Sequence, residues 1–197
     1  MALSKTLILN KALTLIGSSP VTNINDSSAQ AQALRQVYEI SLKSILSECK
    51  WNFATKRLLL SQSADTLSWY DSNENIVYVR PADIIYIFGT NDSTARWRDE
   101  GDYIISDTSG LGIRYVYYHD DATKYAPLFV DAFTDLLAAN IAFTVVNSAS
   151  LGDKFLQKYE RVSLPKATAL NSQQGIQQET NDGAWVDAKS FDNPLNS

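Results

Sequence analysis

The chain has 197 residues and a net charge of −5, which excludes a general duplex-binding surface because phosphate neutralisation needs clustered lysines and arginines. Its 45% hydrophobic content is typical of a globular chain with a buried core, and its length predicts one domain, with or without an insertion. The single cysteine and single histidine exclude an internal disulfide, a site built on several thiolates and a His-rich metal site.

The apolar pattern predicts no membrane span. Asn10 and Lys11 interrupt the first apolar run, which argues against a signal peptide. No stretch approaches the roughly 20 apolar residues that cross a bilayer. We therefore expect a soluble protein made in a reducing compartment.

Two helices are predicted first. Apolar residues recur at helical spacing over residues 3–16, and Gly17 followed by Pro20 ends that pattern. A second helical pattern runs to Cys49, and Ser27 with Gln30 has the spacing of a capping box at its start.

The middle of the chain, from about residue 53 to residue 118, is predicted to form five to seven short antiparallel strands. Turn residues separate runs of β-branched and aromatic residues, and boundaries are expected to shift by a few residues. The runs are FATKRLLLSQ, TLSWY, NIVYVR, DIIYIFGT, ARW, DYIIS and IRYVYYH.

Helical spacing returns at Ala126. Pro127 suits a first helical turn, and the Ala-rich stripe after it predicts the most apolar helix of the chain. A fourth helix follows, in which Pro165 predicts a kink or an early end because proline removes a backbone hydrogen bond. Residues 171–197 are too polar to build a core of their own.

The predicted fold class is therefore α+β: a four-helix bundle with an inserted antiparallel β subdomain and an extended C-terminal tail. The predicted boundaries are 1–52 and 121–170 for the two parts of the bundle, 53–120 for the β subdomain and 171–197 for the C-terminal arm.

Trp51 and Phe53 stand where helical spacing gives way to strand spacing. Large aromatics at such a position are predicted to fill the joint between the two subdomains. The alternative is a stacking platform for sugars or bases, assisted by the nearby basic residues Lys50, Lys56 and Arg57.

Carboxylates cluster in three predicted turns, and any pair could serve as the acid and base of a glycosidase. Turns also favour Asp for its local hydrogen bonds, so a catalytic role is the minor expectation. His119 beside two carboxylates is expected to be a solvated strand end rather than a metal ligand. The clusters are Asp71 with Glu74, Asp99–Glu100–Asp102, and Asp120–Asp121.

No nucleotide-binding loop, dinucleotide fingerprint or serine-nucleophile elbow occurs in the sequence. The tripeptide Arg96–Trp97–Arg98 combines the basic and aromatic residues typical of a nucleic-acid contact, but one tripeptide is weak evidence and the acidic residues that follow neutralise its charge. We predict a structural or interaction protein that is not an enzyme and has no metal and no cofactor.

Several stretches together resemble a known family. They are ALTLIG at the end of the first helix, WNFATKR at the end of the second, PLFVDAFTDLLAANIAFTVVNS, and KFLQKYERVSLPKATAL before a Gln-rich tail. Over about residues 3–175 this organisation resembles the head-to-tail adaptor proteins of short-tailed bacteriophages, the tail tubular protein A (gatekeeper) family. Pro165 departs from the unbroken helix expected there.

The resemblance implies a ring of twelve copies in the virion tail, assembled in the host cytoplasm. One side would bind the portal protein and the other the nozzle protein, tail tubular protein B. DNA would leave through the channel without sequence-specific binding, and an acidic wall would keep phosphates from sticking. No membrane is involved.

Two further expectations concern surfaces. Spaced apolar residues on the polar tail suggest an assembly interface on a neighbouring subunit or the portal, although they could instead fold back on their own subunit. The tail residues are Ile176, Trp185, Val186 and Phe191.

The alternative function is a tail-associated glycan hydrolase in which Trp69, Tyr70 or Trp97 stacks on sugar.

Overall fold

The computed structural model describes residues 3–71 and 74–174. Ile176, Trp185, Val186 and Phe191 lie outside these described residues. The fold is mixed α+β, with helices at both ends of the described chain and two small antiparallel sheets between them.

The helices are α1 (Lys5–Leu15), α2 (Ala29–Ser47), α3 (Pro127–Val146), α4 (Ala149–Lys158) and α5 (Leu164–Gln173), with a π-helical segment at Tyr159–Ser163. The strands are β1 (Thr55–Leu59), β2 (Ile76–Val79), β3 (Ile84–Thr90), β4 (Trp97–Glu100), β5 (Tyr103–Ser106) and β6 (Gly112–Tyr117).

The helix ends follow the local chemistry of their residues. Gly17 has a φ of +74°, the left-handed conformation that glycine adopts without strain after α1. Ser28 caps α2 by accepting a hydrogen bond from the Ala31 N–H, so the predicted capping box at Ser27 is one residue early. The second helix also ends at Ser47, before Cys49.

α3 lies at the centre of the helical region. α1, α2, α4, the π segment and α5 all pack against it. Eleven of its residues are buried, among them Phe129, Phe133 and Leu137. By length and composition α3 could cross a membrane, so the expectation that no stretch approaches a span is wrong. However, 61% of its most apolar stretch is buried inside the protein.

Pro165 neither ends the last helix nor breaks it. The π turn immediately before it uses a wider hydrogen bond, from the Leu164 N–H to the Tyr159 carbonyl. Pro165 then lies in the first turn of α5, a position that tolerates a residue without a backbone N–H. The chain therefore remains helical to Gln173, into the stretch predicted as the arm.

The strands form two three-stranded sheets, in the orders β1-β6-β3 and β2-β5-β4. The first sheet packs on the helices through Val116 and on the second sheet through Ile113 and Tyr115. A small β-region core forms there around Tyr78 and Ile104. Residues 66–70, predicted as a strand, form no strand.

Candidate functional site

The aromatic residues after α2 pack into the helical core. Trp51 is 1% exposed, and its indole N–H donates to the Ile45 carbonyl at 2.8 Å. Its ring meets the edge of Phe129 with centroids 4.9 Å apart. Phe53 is only partly buried, and it lies between Phe129 at 4.8 Å and Tyr125 at 5.4 Å.

A three-residue 3₁₀ turn, Asn52–Ala54, joins these aromatics to β1. The end of α5 fixes this turn, because the Asn52 N–H donates to Asn171 Oδ1 and Asn52 Nδ2 donates to the Asn171 carbonyl, each at 2.9 Å. Asn171 Nδ2 also donates to the Lys50 carbonyl at 2.8 Å. The side chain of Asn171 thus connects the last helix to the start of the first sheet.

His119 is not the solvated strand end that the sequence predicts. Its ring lies between Phe53, Tyr117 and Tyr125, with centroids 5.0–6.0 Å apart. Nδ1 is 2.7 Å from the Tyr117 hydroxyl, whereas Nε2 is buried without a hydrogen-bond partner among the described residues. Burial lowers the pKa of His119 below its ordinary value.

The carboxylates beside His119 point to other partners. Asp120 accepts from Lys5 Nζ at 2.8 Å and from the Tyr38 hydroxyl at 2.7 Å. Asp121 caps the short helix that follows by accepting from the Thr123 N–H. Among residues 3–71 and 74–174, no group of three or more His, Cys, Asp or Glu side chains is arranged to hold a metal.

A cleft at the edge of the second sheet collects acidic and aromatic residues from separate parts of the sequence. It has a volume of about 250 Å³, and Trp69, Asp71, Glu74, Arg98 and Glu100 line it together with Tyr70. The fold thereby brings one member of the Asp99–Glu100–Asp102 cluster next to Asp71 and Glu74.

Arg98 bridges the two carboxylates in this cleft. Its Nη1 bonds Asp71, and its Nε lies 2.9 Å from Glu74 Oε2. Hydrogen bonding to Asp71 raises the pKa of Arg98 above its ordinary value. A guanidinium therefore occupies the space between the pair where a glycosidase would need to admit a scissile bond.

The remaining predicted candidates do not join this cleft. Asp99 faces Arg80 instead and forms a two-pronged pair with it, at 2.6 and 3.2 Å. Trp97 packs on the β-region core rather than lining the cleft.

Sequence reasoning missed one buried carboxylate. Asp135 is 2% exposed on α3, where it accepts from Lys158 Nζ at 2.8 Å and from the Ser163 hydroxyl. Lys158 and Ser163 are five residues apart in the chain, and the π turn between them brings both to the same carboxylate. The only signal in the sequence is an acid inside an otherwise apolar stripe.

The large exposed apolar side chains lie on both regions. Ile40 on α2 is 71% exposed, Phe143 on α3 is 65% exposed and Trp69 in the cleft is 69% exposed. The opposite faces of α2 and α3 are already buried in the helical core. These residues therefore belong to surfaces that the described part of the chain leaves uncovered.

No protein-family profile matches this sequence, and no curated protein matches it either.

Proposed function

We propose that the chain is a structural head-to-tail adaptor of a short-tailed phage, built as a four-helix bundle with an inserted antiparallel β subdomain and an extended C-terminal arm. Copies form a ring, with twelve as the expected number, between the portal protein and the nozzle protein. DNA leaves through the ring without sequence-specific contacts. The subunit acts in the virion tail after assembly in the host cytoplasm.

The observation that carries this proposal is the exposure of Ile40 and Phe143 on two different helices. Burying a large apolar side chain contributes roughly 1.5–3 kcal/mol, so an assembly that covers both gains stability unavailable to the single subunit. Head-to-tail packing in a ring joins different patches of neighbouring copies, and exposed apolar side chains of this size are the kind of surface that such packing covers.

The order of elements and the charge add support. Two helices, six strands and then further helices follow one another as the resemblance implies. The net charge of −5 suits a channel through which phosphates must slide.

Negative-stain imaging of the protein mixed with its portal tests the proposal. We expect a monomer or small oligomer in isolation, and rings on the portal. Phe143→Asp and Ile40→Asp should each reduce ring formation, whereas the matched exposed controls Thr144→Asp and Gln36→Asp should not. If rings form equally well with all four variants, the exposed Ile40 and Phe143 do not contribute to the ring contact. If the wild type forms no rings on the portal, the adaptor function is refuted.

A second candidate is a glycan hydrolase, favoured by the juxtaposition of Trp69 and Tyr70 with Asp71, Glu74 and Glu100 in one cleft. One set of substitutions distinguishes the adaptor from the hydrolase. An adaptor retains portal attachment when the acidic residues become amides, whereas a hydrolase loses its release of sugar from capsular polysaccharide. The residues to change are Asp71, Glu74, Asp99, Glu100 and Asp102.

A further inference from the structure

The helix-side face of the first sheet extends past the helices. Thr55 on β1 faces Val116 on β6, and Val116 is buried in the helical core. Two residues further along, on the same face, Arg57 stands directly opposite Arg114. Leu59 continues that face and is 66% exposed. The uncovered end of this face is here named the arginine groove.

The arginine groove has a volume of about 440 Å³ and is lined by residues of β1, β6 and the end of β3. Like charges directly opposite in a ladder destabilise a sheet. Among residues 3–71 and 74–174, neither Arg57 nor Arg114 forms an ion pair. Two arginines directly opposite each other in the ladder, neither with a carboxylate partner among the described residues of this acidic protein, indicate a place for an anionic ligand.

Arg114 is also held in place. Its guanidinium crosses over Gly89, where a Cβ would lie 3.3 Å from Nη2, so any larger residue would crowd it. The guanidinium carbon lies 5.7 Å from the centroid of Phe88. A charge fixed in this way is arranged in advance for its partner.

The strand beside these arginines can also pair with a peptide. β1 is an outer strand of its sheet, no described strand lies on its other side, and its last four residues are exposed. An outer strand presents unpaired N–H and C=O groups that can bind an extended segment. The groove therefore fits a peptide that carries carboxylates next to apolar side chains.

We propose that residues 175–197 of the same chain bind the arginine groove along β1 in the free subunit. The described structure ends at Gln174, and Asn171 just before it is hydrogen-bonded to Asn52, at the entrance to β1. At about 3.3 Å per residue, an extended chain from there to residue 187 spans more than twice the length of β1.

The composition of this segment matches the groove. It has four acidic residues against one lysine, and two of the acids flank an apolar pair within a short stretch. Carboxylates can pair with the arginines while the apolar pair covers the exposed leucines of β1. The acids are Glu179, Asp182, Asp187 and Asp192, the lysine is Lys189, and the apolar pair is Trp185 with Val186.

This inference goes beyond the adaptor function, because it concerns one subunit in solution and does not require a ring. The apolar residues of the tail could contact a neighbouring subunit or the portal, or they could fold back on their own subunit. The inference favours the second alternative for the free chain.

A nitroxide spin label on the full-length chain tests the proposal. Cys49→Ser with Ala188→Cys gives one attachment point next to the binding residues without replacing any of them, and amide NMR signals report which residues lie near it. We expect the Lys56 and Leu59 amides to lose most of their intensity, whereas the amide of Phe143, whose side chain is as exposed as that of Leu59, keeps its own. Equal effects on β1 and on Phe143 would overturn the proposal.

Charge reversal isolates the arginines. Arg57→Glu with Arg114→Glu should restore the β1 signals, whereas Lys154→Glu with Lys166→Glu makes the same change in net charge and should not. Raising the ionic strength from about 0.1 to 1 M should weaken the contact, since the Debye length falls from roughly 10 to 3 Å. Loss of β1 intensity that survives both treatments would overturn the role of the arginines.

A mixed sample shows whether the segment binds its own chain or a second copy. Spin-labelled chains without isotope are combined with isotope-labelled chains that carry no spin label. Broadening of β1 in this mixture would show that the segment binds another copy, which overturns the proposal. A different outcome is that inorganic phosphate shifts the NMR signals of the Arg57 and Arg114 guanidinium groups while charge reversal leaves the broadening of the β1 amides unchanged. That combination would identify the groove as a phosphate site and overturn the proposal.

Discussion

The helical and β regions of this molecule use their side chains in opposite ways. The helical region buries large side chains completely, including Trp51, Phe129 and Phe133. The β region has a smaller core around Tyr78 and leaves most of β1 exposed. Packing thus concentrates stability in the helices, and the strands carry the charged cleft and the arginine groove. The helical region therefore holds most of the fully buried large side chains, whereas the β region holds most of the unpaired or cleft-lining charge described above.

The largest expected effect compares two tryptophans, one from each region. Trp51→Ala should lower the free energy of unfolding by about 3–5 kcal/mol, because it removes a large side chain from a well-packed core. Trp69→Ala should change it by less than about 0.5 kcal/mol, because that ring is exposed. Urea denaturation of both variants measures the difference. Similar losses would show that the regions do not differ as described.

A smaller effect compares two carboxylates of α3. Asp135→Ala should cost about 2–3 kcal/mol, because it leaves the buried Ser163 hydroxyl without its acceptor. Asp131→Ala removes an exposed pair with Lys11 and should cost at most about 1 kcal/mol. Thermal unfolding of the two variants measures this contrast. Equal costs would mean that the contacts of Asp135 across the π turn contribute no more than a surface ion pair.

The β region has one strong internal constraint of its own. The buried Tyr78 hydroxyl donates to the Thr108 carbonyl at 2.7 Å and accepts from the Leu111 N–H at 3.2 Å. Tyr78→Phe should therefore cost about 1–2 kcal/mol. Tyr103→Phe loses only a bond to the exposed Asp65 and should cost less than about 0.5 kcal/mol. Hydrogen exchange at β5 would detect the loosening expected only in the first variant.

Local chemistry predicts the helices better than the strands. Pro127 and Gly17 mark helix ends through backbone preferences that act on their own residues, and both do so in the structure. The π turn before Pro165 lies between Lys158 and Ser163, which both bond Asp135, a residue that is distant in the sequence. The opposition of Arg57 and Arg114 depends on strand register, which changes completely with a shift of one residue.

The candidate site shows the same limit. Each acidic cluster is visible in the sequence, but only the fold brings Glu100 to Asp71 and Glu74, and only the fold inserts Arg98 between the last two. The partial burial of His119 is also not predicted, because the two acidic residues that follow it indicate solvent, whereas Phe53 and Tyr125, which are distant in the sequence or follow a turn, pack on its ring.

The smallest expected effect concerns His119, where the two regions meet. Burial lowers its pKa, so the folded protein favours the neutral ring and the unfolded chain binds a proton more readily. The contribution of the neutral His119 ring to the free energy of unfolding is fully present at pH values above about 6.5, the pKa of histidine in an unfolded chain. It is lost as the pH falls below that value. The charges that face the ring oppose one another, since Asp120 and Asp121 favour protonation while Lys56 and Lys124 disfavour it.

Between about pH 7 and pH 5, we therefore expect the free energy of unfolding of the wild type to fall further than that of His119→Gln. The additional loss should be measurable but smaller than about 1 kcal/mol. The glutamine cannot titrate, so the difference between the two proteins removes the contribution of the carboxylates that both retain. Urea denaturation at several pH values measures it. Parallel curves for the two proteins would show that the ring is protonated as easily in the folded state as in the unfolded chain, and that the contact between the regions is open to water.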